Sequence, residues 1–240
     1  MALFPHLGLG LGLRAPHYAD ATAGACDGVD WFEAITENFL VAGGNPRRVL
    51  RAVREHRPVA LHGVSLSIGS VDPLDEDYLD RVAALCGELE PALVSDHLCW
   101  SSLGGHTVHD LWPMPYTAEA LAHVAARVAH VQDRLGRRIL LENPSSYATF
   151  AVGELGEAEF LAELAARADC GILLDVNNIH VSCTNHGWDA EAYLAAIPAE
   201  RVGYVHLAGH LREDGLLIDT HDQPICDDVW ALYASALRRL

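Results

Sequence analysis

The amino-acid sequence predicts an α/β protein, a single TIM-type (β/α)8 barrel over residues 1–240 with its eighth strand missing from the chain. Three observations lead there. Short apolar runs alternate with longer segments of helical periodicity, the pattern of βαβ units and a parallel sheet. Repeated right-handed crossovers favour closure into a barrel. Finally, run after run ends on a histidine or a carboxylate: VALHG in His62, ALVSDHL in Asp96 and His97, ILLENP in Glu142, VGYVHLAGH in His206 and His210. In a barrel the carboxyl ends of the strands carry the chemistry, whereas a doubly wound sheet gathers its ligands at one switch point.

The first strand is expected at Leu7 to Leu13, where leucine and glycine alternate. Gly10 to Ala15 fits G-x-G-x-x-A, but no strand precedes it and Pro16 follows, so a dinucleotide site is excluded. Asp30 to Phe39 is the second strand, with Glu33, Ile35 and Glu37 on one alternating face. Asn45 caps a helix running to His56, with Pro46 in its first turn. Pro58 to Ile68 is the third strand, Asp75 to Glu88 a helix, and Ala92 to Trp100 the fourth strand. Ser101 to Tyr116 reads as a long loop, suited to a lid or substrate wall. Thr117 to Leu135 is the longest helix, and Arg138 to Glu142 is a strand stopped by Pro144. After a helix at Gly156 to Ala168, the whole of Gly171 to Val181, GILLDVNNIHV, reads as the sixth strand. That geometry would put Asp175 and Asn177 on one face. A helix at Asp189 to Ile197, the seventh strand at Val202 to Leu207, a loop with Asp219 and His221, and a helix at Asp228 to Leu240 complete the chain.

Composition narrows the partners. The net charge is −17, from 16 basic and 33 acidic residues, which disfavours nucleic acid and anionic membranes as partners. Six scattered cysteines without C-x-x-C spacing, and no basic segment before the apolar N-terminus, suit a reducing cytoplasm. No run approaches the roughly 20 apolar residues of a membrane span.

The inner ring of candidates is His62, His97, Glu142, Asp175 and His206. His180, Asp219 and His221 form an outer group, with Asp96 and Asn177 as further candidates. A lone strand-end histidine is ordinarily hydrogen-bonded packing, and His6, His56, His123 and His130 are read that way. A ring is different. Several carboxylates at one barrel mouth repel one another unless a cation lies between them. Mixed imidazole and carboxylate donors suit Fe, Mn, Zn or Co over Mg or Ca. Their number exceeds the needs of one ion, so two or three metals are expected, with Glu142 as the bridge. Asp219 and His221 stand two apart, which an extended backbone would aim the same way.

The set SDHL (95–98), LLENPS (140–145), LDVNNIHV (174–181), HLAGH (206–210) and DTH (219–221) resembles the multinuclear non-heme iron-dependent oxidative enzymes, a family long classed as a domain of unknown function. The resemblance spans nearly the whole chain, in family order. It implies two or three irons in mixed Fe(II)/Fe(III) states and O2 as co-substrate. The implied substrate is a cysteine-containing, ribosomally made precursor peptide, presented with a partner protein that binds its leader. Carried over by position, His62, His97 and Glu142 would hold one iron, and Glu142, Asp175 and His206 a second. His180, Asp219 and His221, with Asp96 or Asn177, would surround a third. The resemblance also implies an eighth strand with a further glutamate ligand, whereas this chain stops at Leu240. The expectation is therefore a truncated form or an incomplete barrel, with a homodimer or partner covering the gap. Two other readings remain open: a redox-inert metal barrel acting as isomerase or hydrolase, and a non-catalytic peptide-binding barrel.

Overall fold

A computed structural model describes residues 3–240. In chain order it contains β1 (Gly10–Gly12), α1 (Tyr18–Ala23), β2 (Trp31–Ile35), α2 (Asn45–Arg54), β3 (Val59–His62), α3 (Glu76–Leu89) and β4 (Leu93–His97). There follow β5 (Trp100–Leu103), β6 (His106–Trp112), α4 (Ala118–Leu135), β7 (Leu140–Glu142), α5 (Glu157–Arg167), β8 (Gly171–Asp175) and α6 (Val176–His186). The chain then gives α7 (Ala190–Ala196), β9 (Val202–His206), β10 (Leu211–Glu213), β11 (Leu216–Ile218) and α8 (Asp227–Leu237).

Seven strands pair in parallel in the order β1-β2-β3-β4-β7-β8-β9. The sheet curls into a TIM-barrel-like shape. Tyr204 on β9 reaches back to hydrogen-bond Glu33 on β2, and its ring meets Trp31 edge-on at 5.3 Å. Period-two alternation divides the strand side chains between two cores. Phe32, Leu61, Val94, Leu141, Ile172 and Leu174 face outward into the helical layer. Trp31, Ala60, Leu93, Leu140, Leu173 and Tyr204 face inward as a separate cluster, with Phe4 and Leu7 packed against it. This apolar cluster fills the amino-terminal half of the interior, and the polar strand ends stand above it.

One irregularity sets the phase of β9. Ile172 pairs with Val202 but Leu173 pairs with Tyr204, so β9 carries one extra residue, Gly203. Val202 and Val205 both pack outward, while Tyr204 faces inward. A side chain at Gly203 has no room, because its Cβ would stand 2.1 Å from Leu140 Cδ2.

Several elements differ from the sequence reading. The sixth strand ends at Asp175, and Val176–His186 is helix. Asp175 is the N-cap of that helix and accepts from Asn178 N at 2.7 Å, so strand passes to helix without an intervening loop. The expected loop at Ser101 to Tyr116 holds an antiparallel hairpin, β5–β6, turning at Gly104 and Gly105, both with positive φ. Trp100 and Trp112 stack across it at 5.9 Å. A second hairpin, β10–β11, precedes Asp219. The first strand shrinks to Gly10–Gly12, and Gly44 rather than Asn45 is the N-cap of α2. Among the described residues, no helix is long and apolar enough to cross a membrane.

Candidate metal centre

Five donors from five strands meet above the inner apolar cluster. Glu142 sits at their centre. Its Oε2 lies 3.1 Å from His62 Nε2 and 3.3 Å from His97 Nε2, and its Oε1 lies 3.2 Å from His206 Nδ1. Asp175 Oδ2 approaches His206 Nδ1 at 3.7 Å. Glu142 and Asp175 are 1% and 0% exposed, so solvent does not compensate their charges.

The imidazoles are held in defined tautomers from behind. His97 Nδ1 donates to Gly63 O at 3.1 Å, which leaves the Nε2 lone pair facing Glu142. For His62 the proton positions follow from a relay ending on an acceptor-only group. Tyr204 OH donates to Glu33 Oε2 at 2.8 Å, Ser95 Oγ donates to Tyr204 Oη at 2.7 Å, and His62 Nδ1 donates to Ser95 Oγ at 2.9 Å. His62 thereby keeps a proton on Nδ1 and turns Nε2 toward Glu142. His206 donates through Nε2 to Glu33 Oε2 at 2.8 Å and turns Nδ1 inward. Asn143 pins the Asp175 backbone by accepting from its N–H and donating to its carbonyl, both at 2.9 Å.

The electrostatics are those of a site built around positive charge. Burial alone would raise the Glu142 carboxyl, but His206, His97 and His62 outweigh it and hold it well below the usual range. Burial and then the Glu142 charge push Asp175 well above its ordinary value. Burial lowers His97 to about 4. His206 rises well above its usual value, since Glu33 and Glu142 together overcome its burial. Burial would raise Glu33, but His206 and His62 bring it down to about 2.

A metal fits this arrangement. Glu142 Oε2 and Asp175 Oδ2 are buried atoms without a hydrogen-bond partner. A neutral His97 points a lone pair at one of them, a contact that only a cation between the two makes favourable. Ligand atoms held about 2.0–2.2 Å from one ion stand roughly 3 Å apart, the spacing found here. His62, Glu142 and His206 each offer a ligand atom within 4.8 Å of the others.

The outer candidates divide three ways. Asn177 donates to Asp219 Oδ1 at 2.9 Å, and His221 Nε2 meets the same oxygen at 3.0 Å, so these three stand together beside the ring. The backbone there is not extended, since His221 has φ +56°. Its imidazole is raised chiefly by the hydrogen bond with Asp219. His180, carried away on α6, lies instead with His210 and Cys226. Asp96 faces the helical layer, one residue out of phase with Ser95 and His97. It accepts from His97 N at 2.7 Å and Leu66 N at 3.3 Å, and burial and then Glu37 raise its carboxyl to about 7. The sequence reading passed over Glu33, Ser95, Asn143 and Tyr204 as site residues. For Ser95 and Tyr204 the available signal was alternation, since each stands two residues before an inner donor; Glu33 is in phase with the inward Trp31 on β2, whereas Asn143 directly follows Glu142 and carries no such signal.

A cleft of about 550 Å³ lies between the segment after β7, α5 and α7, lined by Tyr116, Phe150, Glu157, Trp188 and Tyr193 and by none of the ring residues.

Comparison with known proteins agrees with this architecture. A UPF0276 protein of Anaeromyxobacter sp. (strain Fw109-5) is 58% identical over 233 residues, covering 97% of this chain and 82% of the relative. A UPF0276 protein of Caulobacter vibrioides is 55% identical over 239 residues, covering 100% of this chain and 85% of its own. Among solved structures, the 3-keto-D-glucoside 4-epimerase of E. coli superposes with a TM-score of 0.60 at 17% identity, over 98% of this chain and 88% of that one. Endonuclease IV from Thermus thermophilus gives 0.58 at 20% identity, over 91% and 82%. Those two likenesses concern the fold alone. Residues 8–240 match the family described as RiPP precursor modification enzyme MbnB/TglH/ChrH, and the chain belongs to that family, whose members modify ribosomally made precursor peptides.

Proposed function

We propose that this protein is a multinuclear iron-dependent, O2-using enzyme that oxidises cysteine residues of a ribosomally synthesised precursor peptide, acting with a leader-binding partner protein. The observation that carries the reading is the shared carboxylate: Glu142 faces three imidazoles within 3.3 Å while one of its oxygens lacks a hydrogen-bond partner. His62, His97 and Glu142 would hold one ion, and Glu142, Asp175 and His206 a second, with Asn177, Asp219 and His221 at a third position. Iron bound there would supply O2 activation, electron transfer and a Lewis acid that lowers the pKa of a cysteine thiol.

The chain's own residues do the rest. Ser95, Tyr204, Gly63 and Glu33 fix the imidazole tautomers before any ligand arrives. Such preorganisation holds reacting groups in place without reorganisation during the reaction. The apolar cluster beneath the ring keeps water from the amino-terminal side. The exposed Trp112, Tyr147 and Phe150 follow or flank strands on the carboxyl side, where a peptide would approach.

Elemental analysis of anaerobically isolated protein, with Mössbauer spectroscopy after iron-57 enrichment, tests this. Two or more coupled, mixed-valent irons per chain, followed by O2-dependent mass change of a cysteine-bearing precursor, are expected. Stoichiometric zinc or manganese, with iron failing to restore activity, would overturn it in favour of a redox-inert barrel.

A further inference from the structure

Three donors outside the ring converge where α6, the segment after β9 and the start of α8 meet. His180 lies on α6, His210 precedes β10, and Cys226 is the N-cap residue of α8. One ligand atom from each lies within 4.8 Å of the other two, and all three residues are half-buried. The imidazole rings stand 5.0 Å apart with their planes tilted by 33°. Cys226 is a free thiol.

The proton positions prepare this cluster for a cation. His210 Nδ1 lies 2.8 Å from Asn177 Oδ1, and an amide oxygen only accepts. His210 therefore carries its proton on Nδ1 and presents a lone pair from Nε2. A hydrogen bond of this kind, from the far nitrogen of a histidine, is what orients metal-binding imidazoles elsewhere. Asp228 offers both rings an opposing negative charge.

We propose that His180, His210 and Cys226 form a second metal site, for a zinc-class divalent ion, that shares no ligand with the ring around Glu142. The sulfur decides the class. Thiolate with two imidazoles is a borderline-soft donor set suited to zinc and its tetrahedral analogues, whereas the ring offers only nitrogen and oxygen. Ligand atoms on one tetrahedral ion with bonds of about 2.0–2.3 Å stand roughly 3.3–3.8 Å apart, so small side-chain rotations close the set. Binding forms a metal–sulfur bond and breaks the S–H bond, and the proton leaves to solvent. The fourth position goes to water or to Asp228. Such an ion would tie the start of α8 to α6 and to the segment after β9.

The test is titration of the metal-free, full-length protein with cobalt(II). Saturation is expected to bring a thiolate-to-cobalt charge-transfer band and the strong visible absorption of a tetrahedral ion, with about one more proton released than in Cys226→Ser. In Cys226→Ser the band should vanish and the stoichiometry fall by one ion. In Glu142→Gln, which disables the ring, the band should persist. His180→Ala and His210→Ala provide independent variants, each expected to weaken cobalt binding at this site at least tenfold. Saturation without a charge-transfer band would overturn the proposal, as would a band that survives Cys226→Ser. Loss of the band in Glu142→Gln with circular dichroism unchanged would overturn it too, because the two sites would then not be independent.

Discussion

His206 Nε2 donates to Glu33 Oε2 at 2.8 Å across the barrel interior, joining residues 173 positions apart in sequence. The same Glu33 oxygen accepts from Tyr204, so one carboxylate sets the tautomer of His206 directly and that of His62 through Ser95. Glu33→Ala should weaken metal binding by roughly 10–100-fold, the usual cost of losing such a partner. Glu33→Gln, which keeps an acceptor but loses the charge, should fall between. Competition titration with a chelator of known affinity reads the difference, and equal affinities would show that Glu33 does not orient the ring.

Asp175 serves the fold and the site with different atoms. Oδ1 caps α6 through Asn178 N, while Oδ2 faces the ring without a partner. Asparagine caps as well as aspartate, so Asp175→Asn should leave the melting temperature nearly unchanged while sharply reducing metal content. Asp175→Ala should lose both, with about 1 kcal/mol or more from the missing cap. Calorimetry together with metal analysis separates the two roles.

Glu157 predicts a pH dependence remote from the ring. It lies buried and accepts from Tyr193 at 2.8 Å and Tyr116 at 3.0 Å. Burial pushes its carboxyl up to about 7, against the pull of both hydrogen bonds. The folded state therefore binds this proton more tightly than the unfolded chain. The stabilisation is complete below the ordinary carboxyl range and is lost as pH rises through about 7. At about 1.4 kcal/mol per unit it amounts to roughly 3 kcal/mol. Thermal melts from pH 4.5 to 8 should show the wild type losing roughly 6–12 °C more than Glu157→Gln. Parallel curves would refute the assignment.

Leu140 lies at the floor of the interior, in contact range of where Gly171 and Gly203 lack side chains. Leu140→Ala should cost about 2–5 kcal/mol, since the surrounding strands are too constrained to collapse onto the void. The melting temperature should fall by roughly 4–20 °C in scanning fluorimetry.

Much of the barrel is legible because strands covered on both faces read as unbroken apolar runs, and their polar ends stand out against them. The start of α6 is harder to see. Leu174 and Val176 alternate with Asp175 and Asn177 as a strand would, and the change of period from two to 3.6 occurs with no loop to mark it. The β5–β6 hairpin did leave a mark, the Gly104–Gly105 pair between strand-like segments, but its length and polarity resemble a loop. Asp96 and His97 are neighbours in sequence yet face opposite layers, and Glu33 is in phase with the interior. Both facts follow from alternation once one inward residue per strand is known. The pairing of His180 with His210 and Cys226 depends on the packing of α6 against α8, which no local pattern encodes.

Gly203 gives β9 a reading frame. As the unpaired residue of the strand, it is a surplus position: with it deleted, Val202 outward, Tyr204 inward, Val205 outward and His206 inward still follow in regular order. Deleting Val205 instead would shift the frame and turn either Tyr204 or His206 out of the interior. The strand should thus tolerate the loss of one particular residue and not of another two places away, with retained metal content as the readout.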